Sequence, residues 1–267
     1  MTPADAPIGL FDSGVGGLSV LAAARAALPH EDFVYAADSA YAPYGDRDTA
    51  TVVARADAVV QALVARGAKA IVVACNTATA LAVEHLRTSY RVPIVAMEPA
   101  IKPACATTRS GQVAVLATRQ TVTAGNTTRL CERYAGSATV HLVACPGVVE
   151  CIEAGELDGP RLCALLNGYL APLRVAGVDV IVLGCTHYPL AHATIARLAG
   201  DAITLIDPAP AVARELARRL DHAGLRSTCR RRGHETFLSS RPDAATAALL
   251  ARLWGHPLTL GALDATV

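Results

Sequence analysis

Two cysteines in this chain close matching copies of one short pattern. Cys75 ends the apolar run of GAKAIVVACNTAT (67–79), and Cys185, 110 positions later, ends that of GVDVIVLGCTHYP (177–189). Each copy has a glycine, a short gap, four apolar residues, a small residue, then cysteine followed by hydroxyl or amide side chains. A thiol just after a strand and just before a helix lies near unpaired backbone N–H groups and the positive end of the helix dipole. Both favour thiolate over thiol. One such thiol can remove a proton while another returns one. If the copies face each other, two sulfurs meet one carbon from opposite sides, which suits inversion of a stereocentre. The same N–H groups, with the side chains of Asn76, Thr77, Thr118 and Thr186, suit a carboxylate. A small carboxylate with its reacting carbon between the sulfurs is therefore the expected ligand.

Other chemistries are less well served by these residues. Proton removal from the α-carbon of an amino acid often draws on an electron sink such as pyridoxal phosphate, which needs a Schiff-base lysine. Only Lys69 and Lys102 are lysines among the 24 Lys and Arg residues. Lys69 stands at the wrong end of the Cys75 strand, and Lys102 lacks a phosphate cradle, so no cofactor is expected. There is no CxxC for a redox dithiol. Cys185 with His187 is the only tight Cys/His pair, too few ligands for zinc, so no metal is expected. Cys105, Cys131, Cys151, Cys163 and Cys229 read as small apolar fillers, and Cys145, ahead of Pro146 at a strand end, stays open. GVGG at 14–17 falls short of a nucleotide-binding G-x-G-x-x-G and reads as a tight turn that lets backbone approach a substrate.

The elements that must position these groups follow from the apolar pattern. Runs at 8–11, 33–37, 70–74 and 93–97 form one series of strands, and runs at 113–117, 140–144, 180–184 and 203–207 form a second. Helices are expected at about 50–66, 79–90, 121–135 and 160–175, then at 209–223 and 242–254. Continuous apolar strands alternating with helices indicate buried parallel strands in βαβ units. IGLFDS at 8–13 aligns with VAVLAT at 113–118, so Ser13 and Thr118 are counterparts, and two matches in the same order indicate an internal duplication. The expected fold is α/β with two pseudo-symmetric lobes, each a mainly parallel sheet flanked by helices, and an active site between them. The first lobe takes 1–98 plus 209–267 and carries Cys75; the second takes 99–208 and carries Cys185. Asp12, Ser13, Cys75, Asn76, Thr118, Cys185 and Thr186 all fall just past strand ends, where ligands gather in open parallel sheets.

Composition sets the remaining bounds. The 267 residues are 52% hydrophobic with a formal net charge of +1, and the basic run Arg230–Arg232 reads as a solvated loop. Nucleic acid is thus not an expected partner. Mean hydropathy is +0.35, yet the longest apolar runs are strand-length, so no membrane association is expected. Asp12 interrupts the first apolar stretch and no basic segment precedes it, so no signal peptide is expected. Eight cysteines without dense spacing fit reduced thiols in a cytoplasm.

At these residues the chain resembles the glutamate racemases of the cofactor-independent aspartate/glutamate racemase superfamily. The resemblance rests on GLFDSGVGGLSVL (9–21), YAADSAYAPYG (35–45), VVACNTATA (72–80), ATRQT (117–121) and VLGCTHYPL (182–190). Aspartate racemases tend to carry GGxGP and GCTE where this chain has DSGVGG and GCTH. The resemblance implies interconversion of L- and D-glutamate, the D-isomer serving peptidoglycan synthesis, by a homodimer in the cytoplasm. It makes Cys75 and Cys185 the acid/base pair, Cys75 acting on D-glutamate and Cys185 on L-glutamate. Asp12 and His187 become their respective helpers and Glu153 an auxiliary acid. Substrate contacts map to Asp12, Ser13, Tyr44, Gly45, Asn76, Thr77, Thr118, Thr121, Thr186 and His187. CPGVVECIE at 145–153 departs from the family's proline-rich run at Gly147, Val148 and Glu150, which would loosen one wall of the pocket. Gln120, Ala124 and Thr127 also depart, at places expected to bear on oligomer contacts or regulation.

Overall fold

A computed structural model describes residues 3–265. The chain divides into two compact units, one running to Met97 and resuming at Ala209, the other spanning Glu98–Pro208. In the first unit β1 (Ile8–Asp12), α1 (Leu18–Ala27), β2 (Phe33–Ala37), α2 (Thr49–Ala65), β3 (Ala70–Val73), α3 (Asn76–Ser89) and β4 (Ile94–Ala96) follow one another. The second unit contains α4 (Ile101–Thr107), β5 (Gln112–Ala117), α5 (Arg119–Thr123), α6 (Gly125–Tyr134), β6 (Thr139–Ala144), α7 (Val148–Glu153), α8 (Pro160–Val175), β7 (Val180–Leu183), α9 (His192–Ala199) and β8 (Thr204–Ile206). The chain then re-enters the first unit as α10 (Ala209–His222), β9 (Glu235–Ser239), α11 (Ala244–Trp254) and β10 (Leu260–Ala262).

Both sheets are parallel throughout, flanked by helices, as the apolar runs predict. Their strand orders are β10-β9-β2-β1-β3-β4 and β6-β5-β7-β8. Without β9 and β10, the first sheet has the order of the second, strand for strand. The registers agree too: Phe11 pairs with Val73 in one sheet and Leu116 with Leu183 in the other. Every residue of β1, β3 and β7 is buried, which is why these segments read as continuous apolar runs. Edge strand β6 is only partly buried.

In the second unit, side-chain alternation builds two cores. Ala114, Leu116, Ile181 and Leu183 face α7, α8 and α9, while Val113, Val115, Val180 and Val182 face α4 and α6. In the first, Phe11, Ile71 and Val73 pack on Val59, Leu63, Ala82 and Leu86 of α2 and α3. Each Val, Leu, Ile and Phe side chain among them contributes about 1.5–3 kcal/mol through burial.

Two sequence expectations change. After residue 208 the sequence predicts helices alone, but β9 and β10 extend the first sheet beside β2, pairing Tyr35 with Phe237 and Leu238 with Gly261. These strands are short and polar-flanked, and the sheet edge supplies what their sequence lacks. The helix predicted at 121–135 is two helices, because Thr118 starts α5 early, accepting from the Thr121 amide at 3.3 Å, and Ala124 is extended (φ −68°, ψ 134°).

Candidate active site

Each sheet carries its share of the predicted residues at its own carboxyl edge. In the first unit, the amide of Ala74 donates to the Phe11 carbonyl at 2.8 Å, which sets Cys75 beside Ser13. The Cys75 sulfur lies 3.6 Å from Ser13 Oγ and accepts from the Ala78 amide at 3.5 Å, so the thiol is itself the N-cap of α3. A sulfur in that place meets the unpaired amides of the helix start. Asp12 is fully buried and its Oδ2 accepts from the Gly14 amide at 3.0 Å. Asn76 and Thr77 are buried, and both polar atoms of the Asn76 side chain lack a hydrogen-bond partner. A buried amide left unpaired is costly to a fold.

Tyr44 and Gly45 begin a buried 3-10 turn. Tyr44 shares the apolar cluster of Phe11 and Cys75, and its hydroxyl donates to Asp38 at 2.6 Å. Burial, then the charge of Asp38 and its hydrogen bond, push this phenol well above its ordinary range. Gly17 of the GVGG segment has an ordinary helical backbone, but a Cβ there would meet Asp12 at 2.7 Å and Tyr35 at 3.0 Å. Close packing of α1 on β1 and β2 thus requires this glycine.

In the second unit the equivalent bond runs from the Gly184 amide to the Leu116 carbonyl, at 2.7 Å, placing Cys185 beside Thr118 in the matching register. Cys185 Sγ lies 3.8 Å from Nδ1 of His187, whose Nε2 meets Oε1 of Glu153 at 2.6 Å. His187 is buried, which by itself would disfavour its charge. The hydrogen bonds and charges of Cys185 and Glu153 outweigh burial and hold its pKa well above the ordinary value. The result is a sulfur–imidazole–carboxylate chain, buried at Cys185 and His187 and partly buried at Glu153. Along CPGVVECIE, Gly147 turns the backbone at φ +85°, then Val148, Val149, Cys151 and Ile152 bury as α7, the helix that ends in Glu153.

Thr186 is buried next to Cys185, and Thr118 Oγ1 lies 3.0 Å from Thr121 Oγ1. Among the described residues no group of three or more His, Cys, Asp or Glu is arranged to hold a metal ion. No helix among them is long and apolar enough to cross a membrane.

The Asp/Glu/hydantoin racemase family model matches residues 18–216. A glutamate racemase of Pseudomonas paraeruginosa is 45% identical over 265 residues, covering 99% of this chain and all of that one. The chain belongs to the Asp/Glu/hydantoin racemase family. It is an isomerase. A glutamate racemase isoform from Bacillus anthracis superposes with a TM-score of 0.89 at 29% identity, covering 97% of each chain. Escherichia coli glutamate racemase, solved in complex with L-glutamate, does so with a TM-score of 0.86 at 33% identity, covering 98% of this chain and all of that one.

Within this racemase fold, several neighbours of the predicted site escape sequence reasoning. Tyr188 is 1% exposed and its hydroxyl makes no hydrogen bond of good geometry. Burial above all pushes its phenol well above the ordinary range. Burial likewise pushes the Cys145 thiol up to about 12, so this third cysteine stands beside the second half-site as a neutral thiol. Thr127, one of the departures from the family pattern, donates to the Thr121 carbonyl at 2.6 Å and so braces a predicted substrate residue. Its neighbour across the break at Ala124 is fixed by folding, and no spacing rule announces it.

Proposed function

We propose that this chain interconverts L- and D-glutamate by a two-thiol mechanism without a bound cofactor. One observation carries the reading: Cys75 and Cys185 occupy the same register position, one residue past matching amide-to-carbonyl bonds, in two sheets of one strand order. In each direction one thiolate removes the α-proton and the other cysteine, as a thiol, protonates the opposite face. Cys75 takes the proton of D-glutamate and Cys185 that of L-glutamate. His187 and Glu153 serve Cys185, and Asp12 serves Cys75. Ser13, Tyr44, Gly45, Asn76, Thr77, Thr118, Thr121 and Thr186 hold the substrate. High identity to glutamate racemases supports the choice of glutamate, as does binding of L-glutamate by the Escherichia coli relative.

Purified protein incubated with L-glutamate in D₂O, without added cofactor, is expected to yield D-glutamate deuterated at the α-carbon. No exchange with either enantiomer would sink the proposal. Cys75→Ser and Cys185→Ser should each lose turnover by several orders of magnitude with the fold intact, because groups acting as one unit fail together. The same reading makes the chain a cytoplasmic homodimer that supplies D-glutamate to peptidoglycan. Rescue of a D-glutamate auxotroph tests that supply, and light scattering tests the dimer.

A further inference from the structure

Tyr44 ends a line of buried polar side chains. Its hydroxyl donates to Asp38 Oδ2 at 2.6 Å, and Arg55 grips the same carboxylate with Nε on Oδ2 at 2.9 Å and Nη2 on Oδ1 at 2.8 Å. The remaining nitrogen, Nη1, donates to the carbonyl of Ala265 at 2.7 Å. Tyr44, Asp38 and Arg55 are 1%, 0% and 4% exposed. The guanidinium carbon also lies 3.9 Å from the ring centroid of Tyr41.

An ion pair withdrawn this far from water is a poor way to stabilise a fold, since apolar groups of similar size do as well or better. It does fix geometry. The planar fork of arginine sets the orientation of the carboxylate, and the carboxylate sets that of the phenol. The phenol in turn holds the Tyr44–Gly45 turn in the cluster that contains Cys75. With its proton committed to Asp38, Tyr44 can offer only oxygen lone pairs to anything else.

We propose that Asp38 and Arg55 are positioning residues for glutamate, holding the Tyr44–Gly45 turn in its substrate-binding geometry and tying it to the C-terminal segment at Ala265. This rests on the assignment of Tyr44 and Gly45 to substrate under the proposed function. Loosening the turn removes binding shared by ground state and transition state, which raises KM and leaves kcat less affected.

Two variants test this by steady-state kinetics in both directions, with folding checked by circular dichroism. Arg55→Lys keeps the charge and loses the fork. Asp38→Leu with Arg55→Met replaces the buried pair with apolar side chains that a core tolerates. Each is expected to raise KM on the order of tenfold, the worth of a charge-assisted hydrogen bond, with a much smaller change in kcat. Tyr44→Phe alone should raise KM to a similar degree. Added to the Asp38→Leu/Arg55→Met pair it should change KM by less than about twofold, because coupled residues do not act additively. A purely structural role would lower the melting temperature and leave KM where it was. Wild-type KM in the folded variants, or full multiplication of the Tyr44→Phe effect, overturns the inference while wild-type turnover leaves the proposed function standing. A wild-type protein inactive on both glutamate enantiomers overturns the two together.

Discussion

His187 separates the two thiols chemically. Cys75 caps a helix beside a serine, whereas Cys185 ends a chain through buried His187 to Glu153. The folded pKa of His187 lies above the unfolded value of about 6.5. The charged imidazole therefore contributes stability that is fully present below about pH 6.5 and is lost as pH rises through the folded value. Glu153→Gln removes one source of that rise, so NMR titration should show the His187 midpoint falling. A midpoint that stays put would mean the carboxylate is not coupled to the ring. His187→Asn should lower kcat/KM by about 10²–10⁴-fold, the usual worth of a positioned acid/base group. The loss must be the same from L- and from D-glutamate, since enantiomers have equal free energy and the equilibrium constant cannot change. Polarimetry run in both directions checks this, and kcat and KM are free to split unequally.

At the scale of elements, backbone contacts place the sulfurs. A Cβ on Gly184 would come within 2.8 Å of the Leu116 carbonyl oxygen on β5, an atom that cannot swing aside. Gly184→Ala should therefore push β7 and Cys185 away from β5, cost about 1–3 kcal/mol in urea denaturation and depress turnover. A stable, fully active variant would show that the strand end has more room than the backbone allows. Across the break between α5 and α6, Thr127→Val keeps the shape and removes the bond to the Thr121 carbonyl. A loss of about 0.5–1.5 kcal/mol is expected from the same measurement.

At the scale of the molecule, the returning C-terminal segment is pinned by a buried pair. Lys69 and Glu31 are each 2% exposed as side chains; Lys69 also donates to the Ala4 carbonyl, and Glu31 accepts from the Ser227 amide at 2.8 Å. Four distant stretches of sequence thus converge on one ion pair. Lys69→Met alone strands a buried carboxylate and should cost about 3–5 kcal/mol, whereas adding Glu31→Leu should recover most of it. Thermal unfolding of the three proteins reads both steps. An equal loss in single and double variants would show that packing, rather than charge, carries the site.

The sequence by itself determined the two parallel sheets, the duplication and the cysteines at matching strand ends. Those features are local: an apolar run buried on both faces and a motif following it are legible without knowing what lies across the fold. The tertiary structure decided what depends on distant partners. It drew β9 and β10 out of weak sequence by offering them the edge of β2. It broke one helix at Ala124 and set Thr127 under Thr121. It brought Glu153 onto His187 across 34 positions and joined Tyr44 to Arg55 and Ala265 through Asp38. Hydrogen bonds of that kind leave no period in a sequence, because their geometry exists only once the chain has folded.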